Sequence, residues 1–276
     1  MYSQSSILIA TGLFICTVLS MEFGFRSGRR TQSRTTEVVT QANAVLVSML
    51  GLLALLLAFT FSAALQRYED RSQTVVAEAN AIGTTYLRAR LLTGEMPDKV
   101  QGLLRQYLDV RIKTGRVDAT DPELRDSLRD QAKLIEGQLW NYAVKAAEQD
   151  PNPVTSGLFI QSLNELIDAS DIRSAALERH VPEVVLYLVF ATVLMTTATL
   201  GYASGLSGHR ATLAAIVLVM LITLVAYLII DLDRPRRGNI MVSHESMLSL
   251  QQSISDAQLQ TIHPSSHLSH EQQDSR

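Results

Sequence analysis

Three apolar runs without a single charged residue, 44–65, 184–203 and 211–230, constrain this chain more than any other feature of it. A helix rises about 1.5 Å per residue, so about 20 apolar residues cross the roughly 30 Å hydrocarbon layer of a bilayer. Each run meets that length. A fourth run, 7–25, also qualifies, although it carries Glu22 near its end, where a carboxylate is tolerated only at an interface or inside a bundle. Met1–Ser6 brings no Lys or Arg and no small-residue cleavage pattern follows, so this first run reads as an anchor rather than a signal peptide. The composition agrees: 47% hydrophobic and only 18% charged is more apolar than an ordinary soluble domain.

Between the second and third runs the pattern changes to polar residues with apolar positions at helical spacing, as in Leu103, Leu104, Tyr107, Leu108 and 110–112. Pro97, the Asp121-Pro122-Glu123 start signal and the Pro151-Asn152-Pro153 break predict four helices, at 66–93, 97–117, 122–149 and 156–181. No breaker separates Leu65 from Gln66, so the second span is expected to continue unbroken into the first of these helices. After Ile230 the chain leaves the membrane, Pro235 and Gly238 stop the helix, and 245–260 reads as one more amphipathic stretch before a disordered end. The expected fold is an all-α polytopic membrane protein. Its parts are spans 1 and 2 within 1–65, a helical extramembrane domain at 66–182, spans 3 and 4 within 183–230, and a polar tail at 231–276.

A net charge of −3 argues against a nucleic-acid partner. The single cysteine, Cys16, permits neither an intrachain disulfide nor a cysteine-based zinc site and is expected to be a small buried hydrophobe. His263, His267 and His270 sit in a Pro-Ser-rich tail without acidic or cysteine partners, a poor metal site. Gly201–Gly208 reads as a loop between spans and lacks the lysine and strand context of a phosphate loop. Glu165, Asp168 and Asp171 read as an exposed acidic face. No nucleophile with its base, cofactor motif or paired-carboxylate cleft points to an enzyme. Orientation is not decided by charge: Arg26, Arg29, Arg30 and Arg34 favour a cytoplasmic first loop, whereas Arg67, Arg71, Arg173, Arg179, Arg234, Arg236 and Arg237 favour a cytoplasmic domain.

At the end of the second span the chain reads FTFSAALQRYEDRSQTVVAEANAIGTTYLRA. This stretch resembles the bestrophin-like domain family of bacterial membrane proteins, and more distantly bestrophins. In bestrophins a Phe and a small polar stretch precede Arg-aromatic-Glu-x-Arg, matched here by Phe59, Arg67, Tyr68, Glu69 and Arg71. The exit from the last span is similar as well, through Asp231, Asp233 and Pro235. The resemblance implies a homo-oligomer, pentameric in bestrophins, that conducts inorganic anions through a pore lined by the second span. It further implies an inner (plasma) membrane location with the helical domain cytoplasmic. Its pore constriction would fall on Phe59, Leu55 and Gly51, with Leu52 on the adjacent edge; Gly51 departs from the bulky apolar residue found there in bestrophins. Two Asp followed by three Arg make a poor calcium cage, and no cofactor is implied.

Each of these features also has a plainer reading. The row at Phe59 would serve equally well against lipid, the charges at 67–71 would pair along the helix, and Glu78, Asn80, Gly83, Thr84 and Thr85 would serve interhelix packing. Thr192, Thr196, Thr197 and Thr199 would line a polar interior or bond to their own helix. A non-conducting scaffold or sensor, anchored by the spans and binding a protein partner through the helical domain, is therefore the alternative to a channel.

Overall fold

A computed structural model describes residues 6–31, 35–117, 121–208, 210, 213–234, 240 and 242–262. Among these the chain forms eight α-helices and no strand: α1 Ser6–Arg30, α2 Thr36–Arg88, α3 Met96–Arg116, α4 Pro122–Gln149, α5 Ser156–Glu178, α6 Glu183–Leu206, α7 Leu213–Leu232 and α8 Glu245–Ile262. Four candidate spans are long and apolar enough to cross a membrane, and they carry the four runs read from the sequence, in α1, α2, α6 and α7. The all-α polytopic membrane fold is thus present. Pro235 and the three tail histidines lie outside the described residues.

The chain divides into two compact units, Met1–Asp70 with Glu178–Met241, and Arg71–Leu177 with Val242–Arg276. Helix α2 is continuous for 53 residues and contributes to both. In the first unit the core gathers Leu13 of α1, Leu53, Leu57 and Ala64 of α2, Leu186, Val189 and Val193 of α6, and Ile222, Ala226 and Ile229 of α7. Helices α1 and α6 pack closest along a seam of four glycines. A Cβ built on Gly24 would overlap Ala198 O, one on Gly28 would overlap Tyr202 O, one on Gly201 Met21 O, and one on Gly205 Phe25 O. Two G-x-x-x-G pairs therefore bring backbone against backbone, the packing that small residues permit between membrane helices.

This seam corrects the loop reading of Gly201–Gly208: helix α6 runs on to Leu206, and Gly208, at φ 74°, makes the turn. The glycines that suggested a loop are there because a second helix lies against them. Cys16 is also corrected, since its side chain is exposed on α1 rather than buried. Apolarity within a span does not distinguish the lipid-facing side from the packed one.

In the second unit the expected four helices are present. Helical structure from α2 ends in a short 3-10 turn, Ala89–Leu91, and Gly94 at φ 65° redirects the chain into α3, which Pro97 opens. Asp121 caps α4 by accepting the Leu124 N–H at 3.0 Å, beside Pro122 in the first turn, as the start signal requires. The amphipathic tail stretch forms α8, which packs on α3 with a 2.6 Å bond from Gln251 to Asp109 and whose Met247 is fully buried. It also seats Leu250 against Gly83 of α2.

Candidate functional site

The outer row of the second span lies in the first unit. Phe59 is 67% exposed, Leu55 52% and Leu52 53%, and open space surrounds the Cβ position of Gly51. On the opposite side of the same helix, Leu53 and Leu57 are buried in the core. The periodicity of 3.6 therefore divides α2 into a packed side and an uncovered side. On the uncovered side, Gly51, Leu55 and Phe59 follow one another at i, i+4 and i+8.

At the polar end of this span, Arg67 donates to Ala63 O at 3.4 Å, Tyr68 packs on the first unit's core, and Glu69 is exposed. Arg71, 2% exposed, turns into the second unit, where its Nε donates to Ala176 O at 3.3 Å. The two arginines of the motif therefore serve different surroundings. At the end of α7, Asp231 and Asp233 are each 1% exposed. The Asp233 carboxylate accepts the Val181 N–H at 3.0 and 3.1 Å, and Asp231 Oδ2 accepts the Ile240 N–H at 3.1 Å. Both carboxylates thus tie down backbone at the ends of apolar helices. No group of His, Cys, Asp and Glu suited to a metal occurs among the described residues.

Within α6, Thr192, Thr196 and Thr197 are buried and bond to the helix's own carbonyls at Leu188, Thr192 and Val193. Their hydroxyls are satisfied within the helix.

The second unit holds a charge cluster whose centre is Glu78. This carboxylate, fully buried on α2, accepts Arg111 Nε at 2.5 Å and Nη2 at 3.1 Å from α3, and Arg173 Nη1 at 2.6 Å from α5. The Tyr107 hydroxyl lies 3.3 Å from Glu78 Oε1 and 3.0 Å from Glu136 Oε1, so one proton serves two carboxylates. Glu136 of α4 also accepts Ser170 Oγ at 3.2 Å and pairs with Lys133 at 3.0 Å, and Lys133 reaches Asp171 at 2.8 Å. Burial pushes the Glu78 carboxyl up, but the charges of Arg111 and Arg173 and their hydrogen bonds outweigh it and hold the group below its ordinary value. Burial, reinforced by the Glu78 charge, pushes the Tyr107 hydroxyl well above its ordinary value and keeps it neutral.

Three acids and three bases balance in this cluster, and each of helices α2 to α5 contributes at least one of them. Such an arrangement suits a clasp between helices better than proton transfer or nucleophilic attack. Apolar spacing alone conceals it, because Arg111 lies between Val110 and Ile112 in a run that reads as core. The available signal is a charged residue set on an apolar stripe, as Glu78 is between Val75, Ala79 and Ile82. Thr85 of the same helix adds a bond to Ser162 O of α5 at 2.9 Å, whereas Asn80 stays exposed.

Comparison with known proteins adds a family and a fold. A family model described as Bestrophin-like domain matches residues 11–247. Among solved structures, a bacterial bestrophin homologue from Klebsiella pneumoniae carrying an Asp-to-Ala mutation superposes with a TM-score of 0.64 at 14% identity, covering 92% of this chain and 99% of the other. A membrane protein with a Leu-to-Ala change gives a TM-score of 0.65 at 16% identity, covering 91% and 98%. No curated protein matches the sequence significantly. The family match covers most of the chain, and the solved structures share its fold over about nine-tenths of it: this chain belongs to the Bestrophin-like domain family.

Proposed function

We propose that this membrane protein assembles as a homo-oligomer around an axis lined by α2 and conducts inorganic anions through it. The observation that supports this reading most is the uncovered row of Gly51, Leu55 and Phe59, with Phe59 67% exposed although Leu57, two residues before it, is buried. Several such rows around an axis make a narrow apolar neck, which gates ions by shedding its water column. Leu52 borders the row, and Arg67 and Tyr68 stand at the polar end of the span, where a ring of guanidinium groups raises the local anion concentration. Asp231 and Asp233 anchor the ends of the α5–α6 and α7 connections that frame the first unit, and Pro235 follows them in sequence. The proposed assembly is a pentamer in the inner membrane with residues 66–182 on the cytoplasmic side, after the bestrophins, and its function involves no catalytic step.

Native mass spectrometry of the detergent-purified protein tests the assembly first; a discrete pentamer is expected. Reconstituted into planar bilayers, Phe59→Ala should raise single-channel conductance, and an unchanged conductance would remove Phe59 from the pore. A stable monomer would favour the second reading, a non-conducting scaffold. That reading draws on one side of α4, where Leu134 is 68% exposed, Trp140 40% and Val144 45%, a surface suited to a protein partner.

A further inference from the structure

The end of α1 and the turn before α7 bring two arginines of the first unit onto one aromatic ring. Arg29 lies with its guanidinium carbon 6.0 Å from the centroid of Phe25, and Arg210 with its own 5.7 Å from the same centroid. Phe25 is 6% exposed, so the ring is fixed by the packing of α1. Both guanidinium groups therefore lie within cation–π range of one ring. Arg30 adds a third exposed cation in the last turn of α1. Arg26 is answered by Glu22 at 2.8 Å, and Glu37, in the first turn of α2, is the other acid at this end of the spans. Positive charge therefore exceeds negative charge here among the described residues. Neutral donors stand beside it, with the Tyr202 hydroxyl 3.5 Å from that of Thr31.

Both helices that adjoin this cluster also expose apolar surface. On α1, Phe23 is 71% exposed, Leu19 64% and Ile15 53%; on α7, which packs against α1, Leu213 is 78% exposed. A free anion would need only the guanidinium groups. A ligand with an anionic head and long apolar tails uses both the cluster and the uncovered helix surfaces below it, and guanidinium is the side chain best suited to a phosphate.

We propose that Arg29 and Arg210, set by Phe25, bind the headgroup phosphate of an anionic phospholipid whose acyl chains lie along α1 and α7. The site is independent of conduction and of the α2 row.

The test is native mass spectrometry of the full chain in mild detergent, titrated with phosphatidylglycerol or with phosphatidylcholine of the same acyl chains. The wild type should retain phosphatidylglycerol in preference. Arg29→Gln with Arg210→Gln should reduce that preference by roughly tenfold or more, with helicity by circular dichroism unchanged. If the double variant does not fold, Arg210→Gln alone, outside every helix, should still give a smaller loss. Equal retention of both lipids by the wild type overturns the site. So does an equal loss from Arg26→Gln with Arg30→Gln, which would show only general attraction to positive charge. Displacement of phosphatidylglycerol by millimolar inorganic phosphate would assign the cluster to a soluble anion instead.

Discussion

Gly28 of α1 and Gly205 of α6 face each other so closely that a Cβ on either would stand 3.1 Å from the other's Cα. Neither backbone can yield without opening the seam on both sides, because Gly24 and Gly201 hold it one turn away. Gly205→Ala should therefore destabilise the first unit by about 1–3 kcal/mol, the usual range for overpacking. Gly12→Ala, with nothing near its Cβ position, should be neutral or slightly stabilising through helix propensity. Thermal unfolding in a single detergent checks both; equal effects at the two positions would mean that the seam does not limit stability.

Glu78 answers two buried guanidinium groups, so removing it should cost more than removing an ordinary hydrogen bond. Glu78→Leu leaves Arg111 and Arg173 charged and uncompensated, an expected loss of about 3–5 kcal/mol. Adding Arg111→Met and Arg173→Met should recover most of that loss, since apolar replacements of a whole buried ion cluster are often tolerated. Urea unfolding of the three variants makes the comparison. If the triple variant proved as unstable as the single one, the clasp would be contributing more than charge balance.

The same carboxyl gives the second unit a predictable response to acid. A group held below its ordinary value in the folded state contributes its full stability above the unfolded value, about 4.3 for Glu, and loses it as pH falls through the lowered folded value. The stability difference between wild type and Glu78→Gln should thus be constant near neutrality and shrink only well into the acid range. Unfolding curves across that range provide the measurement; a difference that faded near pH 6 would point to a histidine instead.

Helix α8 should be an integral part of the second unit rather than a loose tail. Met247 is fully buried, and Met247→Ala should destabilise the unit by about 2–5 kcal/mol, as truncation of a large core residue does. Hydrogen exchange should show the amides of α8 protected in the wild type and released in the variant. Fast exchange in both proteins would place the helix outside the cooperative unit.

Helix number, type and order were determined by local sequence: four apolar runs long enough for a bilayer, three of them free of charge, prolines that open or close helices, and no breaker after Leu65. Those signals act over a few residues, and each helix carries them wherever it packs. The sides of the helices were decided only in three dimensions. Cys16 and Leu13 are equally apolar residues of one span, yet one is exposed and the other lies in the core, because only the latter meets neighbouring helices. Gly201 and Gly205 look like loop residues until α1 lies against them. The row at Gly51, Leu55 and Phe59 was legible as a spacing, whereas its exposure depended on which side of α2 the other spans cover. Arg111 and Glu78 are 33 residues apart in the chain, and their bond appears only when α3 folds back on α2. Charge pairing across such distances leaves no periodic trace in sequence, since the energy that fixes it comes from excluding water around both partners at once.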